Sequence, residues 1–389
     1  MLPLFTALES RSLGAHRADL NSRTESLRYD GFLPRIKYND SLNCAPVTDL
    51  ISTDTLVICV NAIGICSVYS KNLDQPIGVL NHHYEQVRSM FLNQCNSNLI
   101  IVTIKASEGF SQLRCRSFPL SEIESRRNQS TELFITEELK VPGFVEFDDC
   151  NKKVMTRCAR TKVFKLWSLY DYTLLFSIAD FVIQEVRLTC SLLLLIYPPM
   201  DSILPMKLVS AEDGKFLNAY ELPTKQGTAI ELVELFGMHL IFKQKESPLL
   251  IYNLLHRTYI LVPNFASPCG FIYLHLHSAF VAVRATHFEV WNFQGKLLAK
   301  VESAPSVKLG FNIANKLFVT QRQDFIIICS RTQREGSCII QVVKLATGKV
   351  VAEIRDMPEL LNLSTIYFDE VDHELLTGDF FGCVTRWTS

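Results

Sequence analysis

The fold is decided by residues 143–180, GFVEFDDCNKKVMTRCARTKVFKLWSLYDYTLLFSIAD, which hold four short apolar segments separated by turn residues. The segments are residues 144–147, 153–158, 163–168 and 172–178. Residues 148–151, Asp-Asp-Cys-Asn, supply the first turn, and residues 169–171, Leu-Tyr-Asp, supply the last. Short apolar segments bounded by such turns predict β-strands, and four in succession predict one antiparallel four-stranded sheet.

The same pattern recurs along the chain. A Trp, Tyr, Phe or Val stands at the matching place in eight segments: Tyr69, Phe118, Trp167, Val209, Tyr252, Trp291, Val343 and Trp387. Successive positions are 39 to 52 residues apart, which is the size of a four-stranded propeller blade. The sequence therefore predicts an all-β chain that forms a single β-propeller of four-stranded blades, with eight blades preferred and seven as the alternative.

Three predicted third strands are followed by the same turn chemistry. Gly-Lys pairs occur at Gly214, Gly295 and Gly348, each a few residues after a recurring position. Glycine adopts the positive φ that a tight hairpin requires. The three turns support the register of the repeat.

The eighth blade lacks a fourth strand at the end of the sequence. An open sheet edge leaves backbone donors and acceptors unpaired, and residues 32–38 belong to no other blade. We therefore expect residues 32–38 to pair with residues 383–387 and close the ring, with Pro34 tolerated at the outer edge. The propeller is predicted to span residues 29–389, and residues 1–28 to form a flexible N-terminal arm.

Net charge and hydropathy limit the classes of partner. The chain has 39 basic and 40 acidic residues, a net charge of −1, so no nucleic-acid partner is expected. The longest apolar run, residues 192–197, is far shorter than the roughly 20 residues of a membrane span. The N-terminal residues do not resemble a signal peptide. We expect a chain that is neither membrane-spanning nor secreted.

The twelve cysteines include no Cys-x-x-Cys pair, which argues against a structural zinc site. Several of them, including Cys59, Cys115, Cys329 and Cys338, lie within apolar strand patterns, where a thiol packs as a small hydrophobic group. Reduced cysteines predict a cytoplasmic or nuclear protein.

Residues 377–387, Thr-Gly-Asp-Phe-Phe-Gly-Cys-Val-Thr-Arg-Trp, resemble the closing strands of a WD40 repeat. Residues 288–296 and 163–169 resemble the third strand of the same repeat. The sequence departs from the family because Ser168 and Asn292 replace the Asp that follows Trp, and no Gly-His pair occurs. The chain is thus similar to a degenerate WD40 propeller, which implies a protein-interaction scaffold.

The sequence contains few candidates for catalytic or metal-binding residues. His275 and His277 alternate on one predicted strand and could face a metal, yet no third ligand is near in sequence. The acidic residues at 137–138, 148–149 and 369–372 fall at predicted turns, and no phosphate-binding motif is present. We expect no catalytic residue, metal, cofactor or small-molecule substrate. The alternative is an eight-bladed enzyme with a ligand at the central channel, which would gather polar side chains there.

The favoured function is a non-catalytic scaffold, a subunit or adaptor in a multiprotein complex, whose partners are other proteins. Rigid scaffolds place binding residues on loops, and four loops stand out: residues 82–85, 121–130, 198–202 and 331–336. The predicted contact residues are His82, His83, Tyr84, Glu85, Glu122, Glu124, Arg126, Arg127, Arg331 and Arg334.

Overall fold

The computed structural model describes residues 33–39, 45–71, 75–109, 111–140, 143–149, 151–189, 191–284, 287–302, 317–331, 338–355, 357 and 360–388. These residues form eight four-stranded antiparallel sheets, which are the blades of one propeller ring. The predicted all-β propeller of eight blades is confirmed, and the seven-bladed alternative is wrong. The predicted arm, residues 1–28, lies outside the described residues.

The strands follow one another in chain order, and β1 (Leu33–Asn39) belongs to the last blade. Blades 1 to 4 consist of β2 (Val47–Ser52), β3 (Leu56–Asn61), β4 (Cys66–Ser70) and β5 (Gln75–Val79); β6 (Glu85–Asn93), β7 (Asn98–Lys105), β8 (Arg114–Pro119) and β9 (Thr131–Leu133); β10 (Phe144–Asp148), β11 (Lys153–Arg157), β12 (Phe164–Ser168) and β13 (Leu174–Ile178); β14 (Glu185–Thr189), β15 (Leu192–Ile196), β16 (Ile203–Ser210) and β17 (Phe216–Pro223).

Blades 5 to 8 consist of β18 (Ile230–Phe236), β19 (His239–Gln244), β20 (Leu249–Asn253) and β21 (Thr258–Val262); β22 (Gly270–Leu274), β23 (Ala279–Val283), β24 (His287–Asn292) and β25 (Leu297–Glu302); β26 (Leu317–Val319), β27 (Phe325–Arg331), β28 (Cys338–Lys344) and β29 (Lys349–Ile354); β30 (Leu363–Asp369), β31 (Glu374–Asp379), β32 (Cys383–Thr388) and β1. One short helix, α1 (Leu120–Glu124), interrupts blade 2. No helix among these described residues is both long and apolar enough to cross a bilayer.

Eight hydrophobic clusters lie between neighbouring blades, one at each junction around the ring. The second strands supply many of their side chains because both faces of these strands are covered. Every residue of β3 and of β23 is buried, for example. A strand covered on both faces loses the apolar-polar alternation and becomes continuously apolar. Full burial of one large aliphatic or aromatic side chain contributes about 1.5–3 kcal/mol.

The ring closes between the two ends of the chain. β1 pairs antiparallel with β32, from Leu33 opposite Thr388 to Asn39 opposite Cys383. The predicted closure by an N-terminal strand is thereby confirmed, with a register shift beside Pro34. On the inner side, β2 packs against β30, and a cluster of blade 1 and blade 8 residues fills the junction.

The eight recurring residues all lie on third strands, as predicted. In blades 1, 3, 4, 6, 7 and 8 the pairing of the third and fourth strands shifts register beside this residue. In blades 3 and 8 the indole N–H of Trp167 and Trp387 donates to Thr156 and Thr377 of the second strand, both at 2.9 Å. In six blades the recurring residue therefore lies beside a register shift between the third and fourth strands, and in two of these it also donates an indole hydrogen bond to the second strand.

The three Gly-Lys turns have a second role. Their φ angles are +70°, +72° and +65° at Gly214, Gly295 and Gly348. Each turn also packs on the fourth strand of the preceding blade: a Cβ on Gly295 would lie 2.9 Å from Val262, and one on Gly214 would lie 2.6 Å from Phe176. Glycine is thus required by both the turn and the close approach of two blades.

Successive hairpin turns alternate between the two faces of the ring, since the strands are antiparallel neighbours. We call the face that carries the turns between second and third strands, together with the links between blades, the upper face. The lower face carries the other two sets of turns.

Candidate functional site

The predicted contact loop at residues 82–85 divides into an exposed and a buried part. His82, His83 and Tyr84 are exposed, and the Tyr84 ring stacks on His82 with centroids 5.3 Å apart. The Lys105 ammonium lies 5.4 Å from the same ring. Glu85 differs because it is buried and its carboxylate pairs with Arg116 and Lys105. The carboxylate of Glu85 therefore joins internal ion pairs.

The segment expected as a long polar loop, residues 121–130, begins as helix α1. Ile123 is fully buried against the cluster between blades 1 and 2, an apolar anchor within polar sequence that accounts for the helix. Glu122 lies 3.8 Å from Arg127, and Glu124 accepts a hydrogen bond from the Thr55 hydroxyl. Glu124, Arg126 and Arg127 are exposed, and Glu122 is half-buried.

Of the other two predicted loops, residues 198–202 are described in full and residues 331–336 only at Arg331. Arg331 is the last residue of β27, and Arg334 lies outside the described residues. In residues 198–202, on the upper face of blade 4, Met200 is exposed.

His275 and His277 do not lie on a strand, so the predicted alternation on one strand face is wrong. They form a 3₁₀ turn between β22 and β23. The Nδ1 atom of His275 lies 2.7 Å from the Gln323 side-chain nitrogen, and His277 lies 3.5 Å from Asp324. Among the residues the structure describes, no group of three or more His, Cys, Asp or Glu side chains could hold a metal.

The acidic turn at residues 369–372 binds a buried lysine at the junction of blades 8 and 1. The ammonium of Lys71, whose side chain is 4 % exposed, lies 2.8 Å from Asp369 and 2.5 Å from Asp372. Glu374 is 3.4 Å away. Burial raises the pKa of Asp369, but the hydrogen bond and charge of Lys71 outweigh it and the pKa falls below its ordinary value. These ion pairs therefore join blade 1 to blade 8 at the ring closure.

Exposed apolar side chains project from the upper face of blades 8, 1 and 2. They are Phe380 and Phe381 in the turn between β31 and β32, Ile63 in the turn between β3 and β4, and Tyr84 before β6; their exposed fractions are 39 %, 58 %, 47 % and 45 %. Together we call them the apolar tips. Single exposed apolar residues are ordinary, but a group on adjacent turns is typical of a docking surface.

A chain of contacts shows that the apolar tips are neighbours. Gly378, two residues before Phe380, packs on Val47 of blade 1. The carbonyl of Pro46 accepts the N–H of Ala62, beside Ile63. The carbonyl of Gly64 in turn accepts the N–H of Val87, close to Tyr84. The tips therefore follow one another across three adjacent blades.

The turns that carry the tips are held by side-chain hydrogen bonds. Asp379 Oδ1 accepts the N–H groups of Phe381 and Cys383, both at 2.8 Å. Asn61 Oδ1 accepts the N–H of Ile65 at 2.9 Å. A turn that is already ordered loses less conformational entropy on binding. The Asp-Phe-Phe-Gly turn is visible in the sequence, and its adjacent phenylalanines are the signal that the sequence analysis missed.

A second group, also missed from the sequence, lies on the innermost strands around the central channel. Glu146, Arg187 and Glu234 occupy matching positions in blades 3, 4 and 5, one residue before the row that contains the recurring third-strand residue. The other blades have apolar or aromatic residues at this position: Ile51, Phe91, Ile272, Phe318 and Tyr367. We call the three residues, together with Glu185, the inner charged group.

Arg187 links the carboxylates of this group. Its guanidinium lies 2.6 Å from Glu185 and 3.3 Å from Glu234. Removal from bulk water raises the pKa of Glu146 to about 7, and the repulsion of Asp148 adds to the effect. Burial likewise raises the pKa of Glu234 to about 7, although Arg187 partly offsets it. Carboxyls that titrate near neutral pH can exchange protons or bind cations.

A cleft of about 600 Å³ lies between blades 4 and 5 at the upper face, and both polar and apolar residues line it. Of the inner charged group, Glu185 lines this cleft. Gln244 shapes the cleft, because its amide nitrogen donates to the carbonyls of Lys225 and Thr228 and its oxygen accepts the N–H of Lys225. Such a volume suits a small ligand.

Comparisons with known proteins identify a family but no activity. Residues 29–387 match the model of a family described as Domain of unknown function (DUF7899). No curated protein matches the sequence. Among solved structures, the chain is similar to the computationally designed Ika8 protein (14 % identity, 89 % of this chain and 97 % of the other, TM-score 0.51) and to BamB from Moraxella catarrhalis (10 %, 92 % and 100 %, 0.52). At these identities the likeness shows the propeller fold alone, and the matched family is not the WD40 family.

Proposed function

Since the chain belongs to the DUF7899 family, whose description assigns no activity, we propose a function from its surface: a protein-interaction scaffold that docks a partner on the apolar tips. The main observation behind this proposal is that exposed apolar side chains form a row across three blades: Phe380, Phe381, Ile63 and Tyr84. The resemblance of residues 377–387 to a WD40 repeat supports the same role. The partner is a protein that presents apolar side chains to this face, and the chain acts as a subunit or adaptor.

The rigidity of the tips favours protein binding. Tyr84 is flanked by His82 and Lys105, and the Phe381 turn is fixed by Asp379. Aromatic residues with one buried edge and one exposed face supply much of the binding energy of protein interfaces. The exposed His82 and His83 border the tips and form part of the same surface.

The thiols support a reducing compartment, in accord with the proposed cytoplasmic or nuclear location. Six of the nine cysteines within the described part of the chain are buried. Burial raises the pKa of Cys115 to about 12, so this thiol stays protonated and unreactive at neutral pH.

Affinity capture with quantitative mass spectrometry tests the proposal. Phe381→Ala and Tyr84→Ala are compared with Phe216→Ala, which truncates an equally exposed phenylalanine (60 %) on the outer strand β17. A protein lost from the first two variants and retained by the third is then purified and titrated. We expect Phe381→Ala to weaken binding about thirtyfold, as for a hot spot of about 2 kcal/mol. Recovery of the chain alone, monomeric and with a bound small molecule, would contradict the proposal.

The inner charged group favours a second candidate function, binding or turnover of a small cationic ligand at the channel. Three carboxylates, Glu146, Glu185 and Glu234, accompany one guanidinium, that of Arg187. Native mass spectrometry of freshly purified chain tests this candidate. It requires an added mass that is lost in the double variant Glu146→Gln, Glu234→Gln, and a spectrum with the bare chain mass under gentle conditions would contradict it.

A further inference from the structure

The outer strand of blade 5, β21, is an uncharged sheet edge with exposed apolar side chains. β21 has the sequence Thr258-Tyr-Ile-Leu-Val262, without charge or proline. Its central side chains Tyr259, Ile260 and Leu261 are 64 %, 38 % and 52 % exposed. Exposed apolar edge strands are rare in soluble proteins because they template pairing with another chain.

The fourth strands of the other seven blades have features that hinder pairing with a further strand, and β21 lacks these features. The fourth strands of blades 1, 3, 4, 6, 7 and 8 carry a register shift where they meet the third strand, and in blade 2 only the three residues of β9 pair. A bulge twists an edge away from further pairing. In blade 5 the pairing from Leu249 opposite Val262 to Asn253 opposite Thr258 is regular at every position.

The outer edge of β21 presents backbone hydrogen-bonding groups, and apolar side chains form rows across the sheet up to this edge. Five residues span about 17 Å, and alternate residues direct N–H and C=O groups outward. On one side of the sheet, Tyr259 and Leu261 extend the rows of Tyr252 and Leu250. On the other side, Ile260 lies beside Ile251. An added strand would continue both rows with apolar side chains.

We propose that β21 is the docking edge for an extended, uncharged apolar segment of a partner protein, which adds a fifth strand to blade 5. A second copy of this chain is a poorer occupant, since two propellers joined along five residues would fall short of the about 1,000 Å² that a specific interface needs. The exposed His256 and Arg257 stand at the start of β21 and favour acidic residues flanking the segment. This site is separate from the apolar tips.

A labelled peptide of alternating valine and leucine, with aspartates at both ends, is the probe. Its binding to the full chain is measured by fluorescence polarisation, and the protected amides are located by hydrogen exchange. Leu261→Lys places a charge on the edge. Leu298→Lys is the matched control, because Leu298 is 45 % exposed on β25 beside a register shift.

We expect the peptide to slow exchange at residues 258–262, and Leu261→Lys to weaken binding by about tenfold or more. Leu298→Lys and Phe381→Ala are expected to bind as the unmodified chain does, so failure here is separable from failure of the apolar tips. Absence of binding, or protection of another strand with no effect of Leu261→Lys, would overturn the proposal. A dimer seen by sedimentation and abolished by Leu261→Lys would assign the edge to a second copy and overturn it as well.

Discussion

Replacement of Lys71 by Met tests the charge cluster at the ring closure. The variant keeps most of the aliphatic stem but removes the ammonium that contacts Asp369, Asp372 and Glu374. Lys71 lies just after β4 of blade 1, and the three carboxylates belong to blade 8. The substitution therefore acts on the junction that joins the two ends of the chain.

The size of the expected loss in the free energy of unfolding depends on how deeply Lys71 and its carboxylate partners are buried. The side chains of Lys71, Asp369 and Glu374 are 4 %, 8 % and 14 % exposed. Removal of one partner from a buried ion pair costs about 3–5 kcal/mol because a charge is left unpaired. Asp372 is 43 % exposed and keeps its hydration, so we expect a loss near the lower end, about 3 kcal/mol in the free energy of unfolding.

The loss of stability in Lys71→Met is expected to depend on pH, and the pKa of Asp369 sets the direction of that dependence. In the unmodified chain the folded pKa of Asp369 is lowered, so its contribution is present above the unfolded pKa of about 4 and is lost as the pH falls through the folded pKa. Without Lys71, burial raises this pKa. The penalty of the variant is then largest at pH 7.5 and shrinks towards pH 4.5, as the carboxyl takes up a proton.

Urea denaturation at the two pH values measures both effects. Lys215→Met is the matched control, because it removes a solvent-exposed lysine that also pairs with an aspartate, Asp213. It is expected to leave stability unchanged. A loss below about 1 kcal/mol for Lys71→Met, or a loss that does not vary with pH, would refute the reasoning.

Other predictions concern the turns, the closure and the channel. Gly295→Ala is expected to cost about 2–3 kcal/mol in urea denaturation, since its Cβ meets Val262 at 2.9 Å with φ at +72°. Gly227→Ala shares the positive φ, +73°, with no atom within 4 Å, and an equal cost would show that the contact is unimportant. Deletion of residues 30–40 is expected to lower the unfolding temperature of the whole chain, and an unchanged thermal transition would contradict closure by β1. Glu146→Gln is expected to stabilise the protein most at pH 8, because the folded pKa of about 7 makes ionisation of this carboxyl costly. If urea denaturation shows the same gain in stability from Glu146→Gln at pH 8 and at pH 5, the raised pKa is contradicted.

Much of the fold follows from local pattern. Trp387 was predicted to need an N-terminal strand beside it, and β1 supplies that strand. The helix at residues 120–124 was not predicted, because one buried side chain, Ile123, decides it against a polar sequence. His275 and His277 alternate in sequence like strand residues but lie in a turn, and alternation over three residues cannot tell the two apart.

The candidate sites were less accessible to sequence reasoning. The loop at residues 82–85 was predicted from the sequence as a contact loop, but the burial of Glu85 depends on Arg116, thirty-one residues further along. The inner charged group was missed because each member sits alone in an ordinary strand pattern. Only the register of three sheets places Glu146, Arg187 and Glu234 at one level of the channel.

The sequence by itself determined the repeating unit and the strand that closes the ring, and it favoured eight blades over seven. These depend on alternation of side chains within a strand and on turn residues, which are local properties of the chain. Tertiary structure alone decided which turns meet on the upper face, which carboxylates surround Lys71, and which outer strand lacks a bulge. Those outcomes depend on distances between residues far apart in sequence, and such distances are fixed only when the ring closes.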